Sequence, residues 1–404
     1  MNSQIVYKAM FFVLISSFIL GGYLLENLGM QYVSEGGNPL IKIHISTYTL
    51  ILTFTFFTLR KGVVSPFKNL KDLRNAWLIS VLSIVIVIIY GLFRFGTSGM
   101  AYLVDTMVSP LLAVYLLIQL NDSHKNKLLR LLAYLLFINS LIAILEFIQG
   151  STIVTVEFKS FSHFRSAAFL MHPLNNALIT AALAPILMKH TRIPYLIYFA
   201  VVTLALFAFG GRAATGIFIL GMCIVATPKV FEFISKGIKV SKARFAVLQA
   251  LTFLVFILNT LIVTLTPIGA RILSKLHIDG SAQARFDVFI ILDQLTLKEW
   301  LLGASQGLIE NIKFFIEIDV IENYIIGWVV SFGVICAFLL IISCYLLAFK
   351  LVRNSNLLNK VSLVIFILVS LSNNALTSKT PALLFLICIL YLSHSIREKK
   401  NDSF

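Results

Sequence analysis

Residues 76–93 read AWLISVLSIVIVIIYGLF, a run of eighteen residues without a charged side chain. An α-helix needs about 17–25 apolar residues to cross a hydrocarbon core about 30 Å thick. The run is continuously apolar, whereas a strand of a membrane barrel alternates apolar and polar residues over about ten positions. Because backbone polar groups inside a bilayer must be bonded within the protein, this run predicts a transmembrane helix.

The composition predicts the same class for the whole chain. Of the 404 residues, 59% are hydrophobic and 13% are charged, and the mean hydropathy is +0.93. The pattern predicts an all-α, polytopic membrane protein of about 12 transmembrane helices, with residues 1–404 as a single transmembrane domain. The apolar runs lie at about 5–25, 41–59, 76–93, 101–120, 128–148, 174–188, 193–209, 213–227, 245–266, 323–348, 361–373 and 380–394.

The first run and the last two need separate comment. The first lacks a small-residue cleavage site and is long for a signal-peptide core, so we expect it to be retained. The last two are short, and the polar stretch Ser372-Asn373-Asn374 lies between them. A re-entrant bend there is an alternative to two full spans.

Lysine and arginine concentrate in every second segment between the apolar runs. Short cytoplasmic loops carry the positive excess in membrane proteins. Placing both termini in the cytoplasm puts most of the 33 basic residues inside. Topology and contact with anionic lipid head groups then explain the net charge of +15. The charge therefore predicts membrane lipid as a partner and requires no nucleic acid.

The sequence shows no spacing typical of a metal or nucleotide site. The four cysteines all fall inside predicted helices, where we expect them to act as small apolar residues. There is no zinc spacing, no glycine loop for phosphate and no nucleotide-binding fingerprint. The sequence therefore predicts no metal and no cofactor, and it does not favour an ATP-driven pump.

Residues 210–212, Gly-Gly-Arg, form a nearly loopless turn between the seventh and eighth runs, at the outer surface. Arg212 either contacts lipid phosphate from the interface or binds a substrate anion, helped by the positive end of the next helix dipole. Arg165, in the preceding outer segment, is either a solvated loop charge or part of the same anion site. His172 lies before Pro173 at a helix start, which is more typical of a capping group than of a catalyst.

The largest outer segment, residues 267–322, is rich in charge and predicts a small subdomain with short helices between the ninth and tenth spans. Within it, apolar residues at helical spacing predict an amphipathic surface helix from Arg285 to about Leu297. We expect this helix to lie as a lid across the mouth of a cavity. The side chains expected to face the membrane or the protein are Phe286, Phe289, Ile290 and Leu297.

Four stretches together resemble one family of enzymes. They are FRSAAFLMHPLNNALI (164–179), FGGRAATGIFIL (209–220), ARFDVFIILDQLTLKEWLLGASQG (284–307) and ENYIIGWVVSFG (322–333). Their order, spacing and shared outer placement resemble the O-antigen ligase and polymerase superfamily of bacterial inner-membrane glycosyltransferases. The resemblance covers most of the chain and is clearest from about 160 to 345. It implies transfer of a glycan from undecaprenyl diphosphate at the periplasmic face, without a nucleotide sugar or a metal.

The resemblance also implies roles for individual residues. Arg165, Arg212 and Arg285 would bind the lipid diphosphate. Asn323 and Gly333 fit the ligase pattern, whereas Glu322 stands where the ligases have histidine. This departure favours an O-antigen polymerase, which joins two undecaprenyl-diphosphate-linked oligosaccharides, over a ligase, which transfers glycan to lipid A–core. A chain-length regulator is then an expected protein partner.

These residue types suit the chemistry of glycosyl transfer. Diphosphate leaves as a stable anion, so arginines that bind its oxygens in pairs can replace a general acid. The acceptor hydroxyl benefits from a base, and Glu322 is the predicted base, with capping of the tenth helix as its alternative role. The predicted catalytic set is Glu322, Asn323 and Arg212, and the secondary candidates are His172, Arg271 and Asp287.

A transporter is the alternative from another functional class. Lipid-linked glycan flippases also have many helices, and basic residues lining a cavity could hold the same diphosphate in them. Transporters often contain two similar halves. Here the large loop has no counterpart in the first half of the chain, and this asymmetry favours the glycosyltransferase.

Overall fold

The structure is a computed structural model that describes residues 3–34, 36–154, 164–170, 172–237, 241–265, 289–309 and 321–401. Within these ranges all regular secondary structure is helical, and each of the twelve predicted apolar runs contains one main helix, in some runs beside a shorter helical turn. These helices are Ser3–Ile19 (α1), Ile45–Lys61 (α2), Arg74–Phe95 (α3), Ser109–Leu117 (α4), Asp122–Gln149 (α5), Pro173–Leu187 (α6), Tyr195–Phe209 (α7), Arg212–Lys236 (α8), Lys242–Leu265 (α9), Tyr324–Arg353 (α10), Leu357–Ser370 (α11) and Ala382–Asn401 (α12).

Some of these helices are long and apolar enough to cross a membrane. In the described part of the chain they are Lys71–Phe95, Asp122–Gln149, Arg212–Lys236 and Tyr324–Arg353. The predicted class of an all-helical, membrane-embedded protein is therefore confirmed. The number of twelve spans and the cytoplasmic placement of both termini stay predictions.

Helix α6 is enclosed by other helices. All its residues from Asn175 to Leu187 are buried, and it contacts α5, α7, α8, α11 and α12. A helix that is apolar on nearly all sides lies inside a protein or spans a membrane. Both pockets of the candidate functional site lie against its first turns.

Helices α11 and α12 are separate helices joined by residues 371–381, which we call the α11–α12 link. Near the start of the link, the Asn373 side-chain oxygen accepts a hydrogen bond from the N–H of Ala375 at 3.0 Å. A 3₁₀ turn at Ala375–Thr377 follows. The polar stretch that suggested a re-entrant bend therefore ends one helix and starts an ordered connection to the next.

Helix α10 is kinked at Gly333, where φ is +80°. This left-handed backbone favours glycine, and a side chain there would overlap the backbone of Leu301. At the kink the carbonyl of Val330 accepts a hydrogen bond from the N–H of Ala304 at 2.7 Å. Gly333 therefore has a structural role, because it allows the large loop to dock against α10.

The prediction of one amphipathic helix from Arg285 to about Leu297 is wrong at its C-terminal end. Residues 289–293 are helical, the chain then turns at Gln294, and a second short helix runs over Leu297–Leu302. Arg285 and Phe286, at the start of the predicted helix, lie outside the described residues.

A capping box explains the break. The Thr296 hydroxyl accepts from the N–H of Glu299 at 3.4 Å, and the Glu299 carboxylate accepts from the N–H of Thr296 at 3.1 Å. This pair starts a new helix at Leu297. Hydrogen bonds from Ser305 and Thr296 also lower the pKa of Glu299 to about 2, so this carboxylate is ionised at neutral pH.

The short helix is fastened to α3 as well as to α10. The Tyr90 hydroxyl donates to the carbonyl of Leu302 at 2.5 Å, and the Arg94 guanidinium donates to the carbonyl of Ala304. Of the side chains just before this helix, Phe289 is exposed and Ile291 is fully buried. The described part of the large loop therefore packs on the bundle, whereas its role as a lid stays a prediction.

Candidate functional site

Two glycines shape the turn that carries Arg212. Gly210 ends α7 with φ +71°, a conformation that glycine adopts without strain. Gly211 lies against α6, and a Cβ there would come within 2.5 Å of the Ala177 Cβ. Arg212 is the first residue of α8 and is exposed. The turn therefore places a guanidinium at one end of the bundle, beside the start of α6.

Arg165 belongs to a non-helical segment, residues 164–170, which a buried carboxylate holds in place. Glu146 of α5 is only 1% exposed. One of its oxygens accepts from the N–H groups of Ala167 and Ala168 at 2.8 and 2.9 Å, and the other accepts from the N–H of Ile153 at 2.9 Å. The Glu146 carboxylate therefore accepts hydrogen bonds from three backbone N–H groups. Arg165 is partly buried, which does not fit a freely solvated loop charge.

Two asparagines tie the same segment to α5 and α6. Asn139 accepts from the N–H of Phe169 at 3.0 Å and donates to the side-chain oxygen of Asn176 at 2.8 Å. Asn176 in turn donates to the carbonyl of Ala167 at 2.5 Å. Buried polar networks with satisfied partners rigidify a structure, so the segment has a fixed path beside α6.

Arg165 and Arg212 line one small pocket, which we call the arginine pocket. The other described residues that line it are apolar, glycine, hydroxyl or amide side chains, including Ser372 and Asn373 of the α11–α12 link. The first turn of α8 also lines it, and the N–H groups of such a turn point outward from the helix. Two guanidinium groups and a helix N-terminus form a suitable environment for an anion.

His172 caps α6. Its Nδ1 atom accepts from the N–H of Asn175 at 3.4 Å. Burial and the neighbouring charge of Arg165 lower the pKa of His172 to about 4. The ring is therefore neutral at pH 7 and a weak proton acceptor, which favours the capping role over catalysis.

Asn323, not Glu322, caps α10. The Asn323 side-chain oxygen accepts from the N–H groups of Ile325 and Ile326 at 3.0 and 3.3 Å. The alternative in which Glu322 serves as the helix cap is therefore wrong. Glu322 is half-buried at the entry to α10.

The start of α10 lies beside the α11–α12 link, but Glu322 is not among the described residues that line the arginine pocket. A Cβ on Gly327 of α10 would come within 3.1 Å of Thr377 of the link. The predicted base and the two arginines therefore lie at the same end of the bundle. The remaining predicted residues, Arg271, Arg285 and Asp287, lie outside the described residues.

Sequence reasoning missed a second group of residues. Asp105 lies in a π-helical turn, Leu103–Val108, just before α4. It lines a small pocket together with His44 and Lys379, and we call this the polar pocket. An ionisable residue inside an apolar run is by default a candidate functional residue, and π-helical turns are frequent at functional sites. The same signal, an acidic residue inside an apolar run, also points to Glu146 in the run 128–148.

Comparison with models of known protein families gives no match for this chain. Comparison with curated proteins gives no match either.

Proposed function

We propose that the chain is a membrane glycosyltransferase that joins undecaprenyl-diphosphate-linked repeat units, as an O-antigen polymerase does. The observation that carries the proposal is the arginine pocket, which Arg165 and Arg212 both line although they lie far apart in sequence. A diphosphate has two adjacent anionic groups, and arginine binds phosphate oxygens in pairs. Arg285, from the large loop, is the third arginine of the proposed site.

The arginines act on the leaving group. As the bond between the donor sugar and the diphosphate breaks, negative charge grows on the departing oxygen. Cations already fixed at that position stabilise the transition state without reorganisation. Glu146 holds the backbone of the segment that carries Arg165, and the Gly210-Gly211 turn sets the backbone just before Arg212. These fixed backbones support the preorganisation that the proposal requires.

Glu322 acts on the other side of the bond. The acceptor hydroxyl oxygen attacks the anomeric carbon of the donor, the new glycosidic bond forms, and undecaprenyl diphosphate leaves with the electron pair of the broken bond. The hydroxyl proton goes to the carboxylate of Glu322. Because Asn323 already caps α10, the Glu322 carboxylate is not required for that role.

The proposal includes a topology. With twelve spans and both termini in the cytoplasm, the arginine pocket and the start of α10 face the periplasm, and the protein is a multi-pass protein of the bacterial inner membrane. The basic segments at the other end of the bundle then lie in the cytoplasm, as the distribution of lysine and arginine predicts.

The experiment that tests the proposal uses the purified full-length protein with undecaprenyl-diphosphate-linked repeat units and no lipid A. A polymerase lengthens the lipid-linked glycan, and the products form a ladder on a gel. If glycan is transferred only when a lipid A–core acceptor is added, the protein is a ligase. If no new bond forms under either condition, the glycosyltransferase proposal is wrong and a flippase becomes the better reading.

A further inference from the structure

A third pocket, which we call the basic pocket, lies at the other end of α6 from the arginine pocket. Its volume is about 360 Å³, which is within the range of small-molecule sites. Asn126, Arg130 and Tyr134 of α5 line it from one side, and residues 189–192 of the α6–α7 connection line it from the other. Because α6 has 15 residues that each rise 1.5 Å, this pocket and the arginine pocket are about 20 Å apart.

The α6–α7 connection is attached to α5. A 3₁₀ turn at Met188–His190 contacts α5, α6 and α7. The N–H of Arg192 donates to the Tyr134 hydroxyl at 3.4 Å. The hydroxyl of Tyr198, in the first turn of α7, donates to the carbonyl of Ala133 at 2.9 Å. These bonds hold the two walls of the basic pocket beside each other.

The charged side chains of the lining all have the same sign. Arg130, Lys189 and Arg192 are cationic at neutral pH, and no aspartate or glutamate is among the described residues that line the pocket. Within the described part of the chain, none of the three cations forms a salt bridge. Cations that lie close together repel each other. An anion that contacts all three therefore stabilises the cluster.

The lining also offers neutral hydrogen-bond donors. Burial and the charges of Lys189 and Arg130 lower the pKa of His190, so its ring is mostly neutral at pH 7 and carries one N–H donor. The Asn126 amide donates one N–H to the carbonyl of Asp122 at 3.0 Å and has a second N–H. Cations and neutral donors together suit a ligand with several anionic oxygen atoms.

An exposed apolar strip continues from the basic pocket along α5. Its residues follow Tyr134 at spacings of three or four, which keeps them on one face of the helix. They are Ile138, Leu141, Leu145 and Ile148, which are 40% to 73% exposed. At 1.5 Å per residue the strip is about 15 Å long. That length is half of a hydrocarbon core about 30 Å thick, so the strip matches one leaflet of a bilayer.

We propose that the basic pocket binds the phosphate group of an anionic phospholipid. Guanidinium groups bind phosphate oxygens in pairs, and lysine binds them as a point charge. Basic pockets between membrane helices recognise lipid head groups in this way. A lipid whose phosphate contacts Arg130 has its acyl chains along the strip from Ile138 to Ile148. A free phosphate ion carries the same charge but makes no contact with the strip, which favours the lipid.

Phospholipid binding at this pocket is independent of the proposed glycosyl transfer, because the arginine pocket lies at the opposite end of the bundle. In the proposed topology the basic pocket borders the cytoplasmic leaflet. Short cytoplasmic loops carry most of the lysine and arginine of membrane proteins, and here part of that charge forms a defined site.

The test is a fluorescence titration of the purified full-length protein, in micelles of a neutral detergent, with labelled phosphatidylglycerol. Phosphatidylcholine, which has a phosphate but no net charge, and inorganic phosphate are the competing probes. The variants are Arg130→Gln and Lys189→Gln, which remove one charge each and keep a long polar side chain. The matched control is Lys127→Gln, because Lys127 is an exposed cation of the same helix that does not line the pocket.

We expect phosphatidylglycerol to bind at least about tenfold more tightly than phosphatidylcholine or inorganic phosphate. Arg130→Gln and Lys189→Gln should each weaken phosphatidylglycerol binding about three- to tenfold, the effect of losing one hydrogen bond, and Lys127→Gln should bind normally. Without lipid, all variants should keep the wild-type melting temperature. Added phosphatidylglycerol should raise the melting temperature of the wild type more than that of Arg130→Gln.

Three results would overturn the inference: equal affinity for phosphatidylglycerol and phosphatidylcholine, equal affinities in the Arg130 and Lys127 variants, or inorganic phosphate that binds as tightly as the lipid. Failure of the proposed function would look different. In that case no glycan chain is extended, while phosphatidylglycerol binding still depends on Arg130.

Discussion

The two pockets beside α6 differ in how their charged groups are used. In the arginine pocket, Arg165 and Arg212 are in the lining, and backbone N–H groups of the Arg165 segment bond to Glu146, which is buried outside the lining. In the polar pocket, Asp105 and Lys379 are both in the lining and both bonded to the loop of Tyr32. Among the described lining residues, the first pocket has two cationic side chains, and the second has one acidic and one basic side chain.

This difference indicates that the two pockets at this end of the bundle have different roles. A site with excess positive charge stabilises an anion that develops during a reaction. The described lining of the polar pocket has no such excess of basic side chains. Proton transfer is then left to a group outside both linings, and Glu322 at the entry to α10 is our candidate.

The largest expected effect is the loss of chain-extension rate when Glu322, the proposed base, is replaced. Glu322→Gln keeps the size of the side chain but removes proton acceptance, and general-base catalysis contributes about 10²–10⁴ in rate. We expect the rate of chain extension to fall by that factor, measured with lipid-linked repeat units, while binding of undecaprenyl diphosphate is unchanged. Because Asn323 caps α10, the melting temperature should not change.

Glu322→His provides the matched comparison, since it supplies a different base and the residue typical of ligases. Retained polymerisation in this variant would mean that basicity matters more than residue identity, and Glu322 would no longer separate polymerase from ligase. Near-normal extension by Glu322→Gln would remove Glu322 from the mechanism.

The next effect concerns the arginine pocket. Arg212→Ala or Arg165→Ala should lower the rate of extension about 10²–10³-fold, the usual loss when one transition-state hydrogen-bond donor is removed. Binding of undecaprenyl diphosphate should weaken as well, because the arginines also contact the ground state. Arg353→Ala is the control, since Arg353 is an exposed arginine at the opposite end of α10 from Glu322. Normal extension by Arg212→Ala would exclude the site.

A smaller loss of diphosphate binding is expected for substitutions at Glu146, which bonds to the segment of Arg165. Glu146→Ala leaves three backbone N–H groups without their acceptor, and each such loss destabilises by about 1–3 kcal/mol. We expect a lower melting temperature together with weaker diphosphate binding, because the segment of Arg165 loses its anchor.

Glu146→Gln should have a milder effect. Its amide oxygen can still accept from Ala167 and Ala168, and only the bond from Ile153 is lost. If Gln and Ala variants are equally impaired in diphosphate binding and equally stable, Glu146 does not act by holding the Arg165 segment.

The smallest expected effect is a change in how the stability of the folded protein depends on pH. The pKa of His172 is about 4 in the folded protein and about 6.5 when unperturbed. The unfolded chain therefore binds this proton first, so the contribution of His172 to stability is complete above pH 6.5 and is lost as the pH falls toward 4. His172→Asn keeps a good N-cap but does not titrate.

The measurement is the melting temperature of wild type and His172→Asn between pH 7 and pH 4. The wild type should lose more stability on acidification, by a difference on the order of a few degrees. Parallel curves for the two proteins would show that His172 does not titrate in this range.

The helices could be predicted from the sequence because long apolar runs are a strong and local signal. The Gly-Gly-Arg turn could also be placed, since it separates two such runs. The break before Leu297 was missed although Thr296 and Glu299 have the spacing of a capping box, because the apolar periodicity continued across it.

The roles of Glu146 and Asp105 could not be predicted in the same way. Glu146 bonds to the segment of Arg165 about 20 residues further along the chain, and Asp105 bonds to Tyr32 and His44 in another loop. The charge in an apolar run is visible in the sequence, but its partners depend on how distant segments meet in the fold.

The enclosure of α6 has a consequence for how the protein is made. Its neighbours α5, α7 and α8 are close in sequence, but α11 and α12 are among the last helices to leave the ribosome. Chains generally acquire structure from the N-terminus during synthesis. Both pockets border α6 and the α11–α12 link, so neither is complete until translation has nearly finished. During biogenesis the side of α6 that α11 and α12 will cover therefore stays without its final neighbours until those helices are inserted.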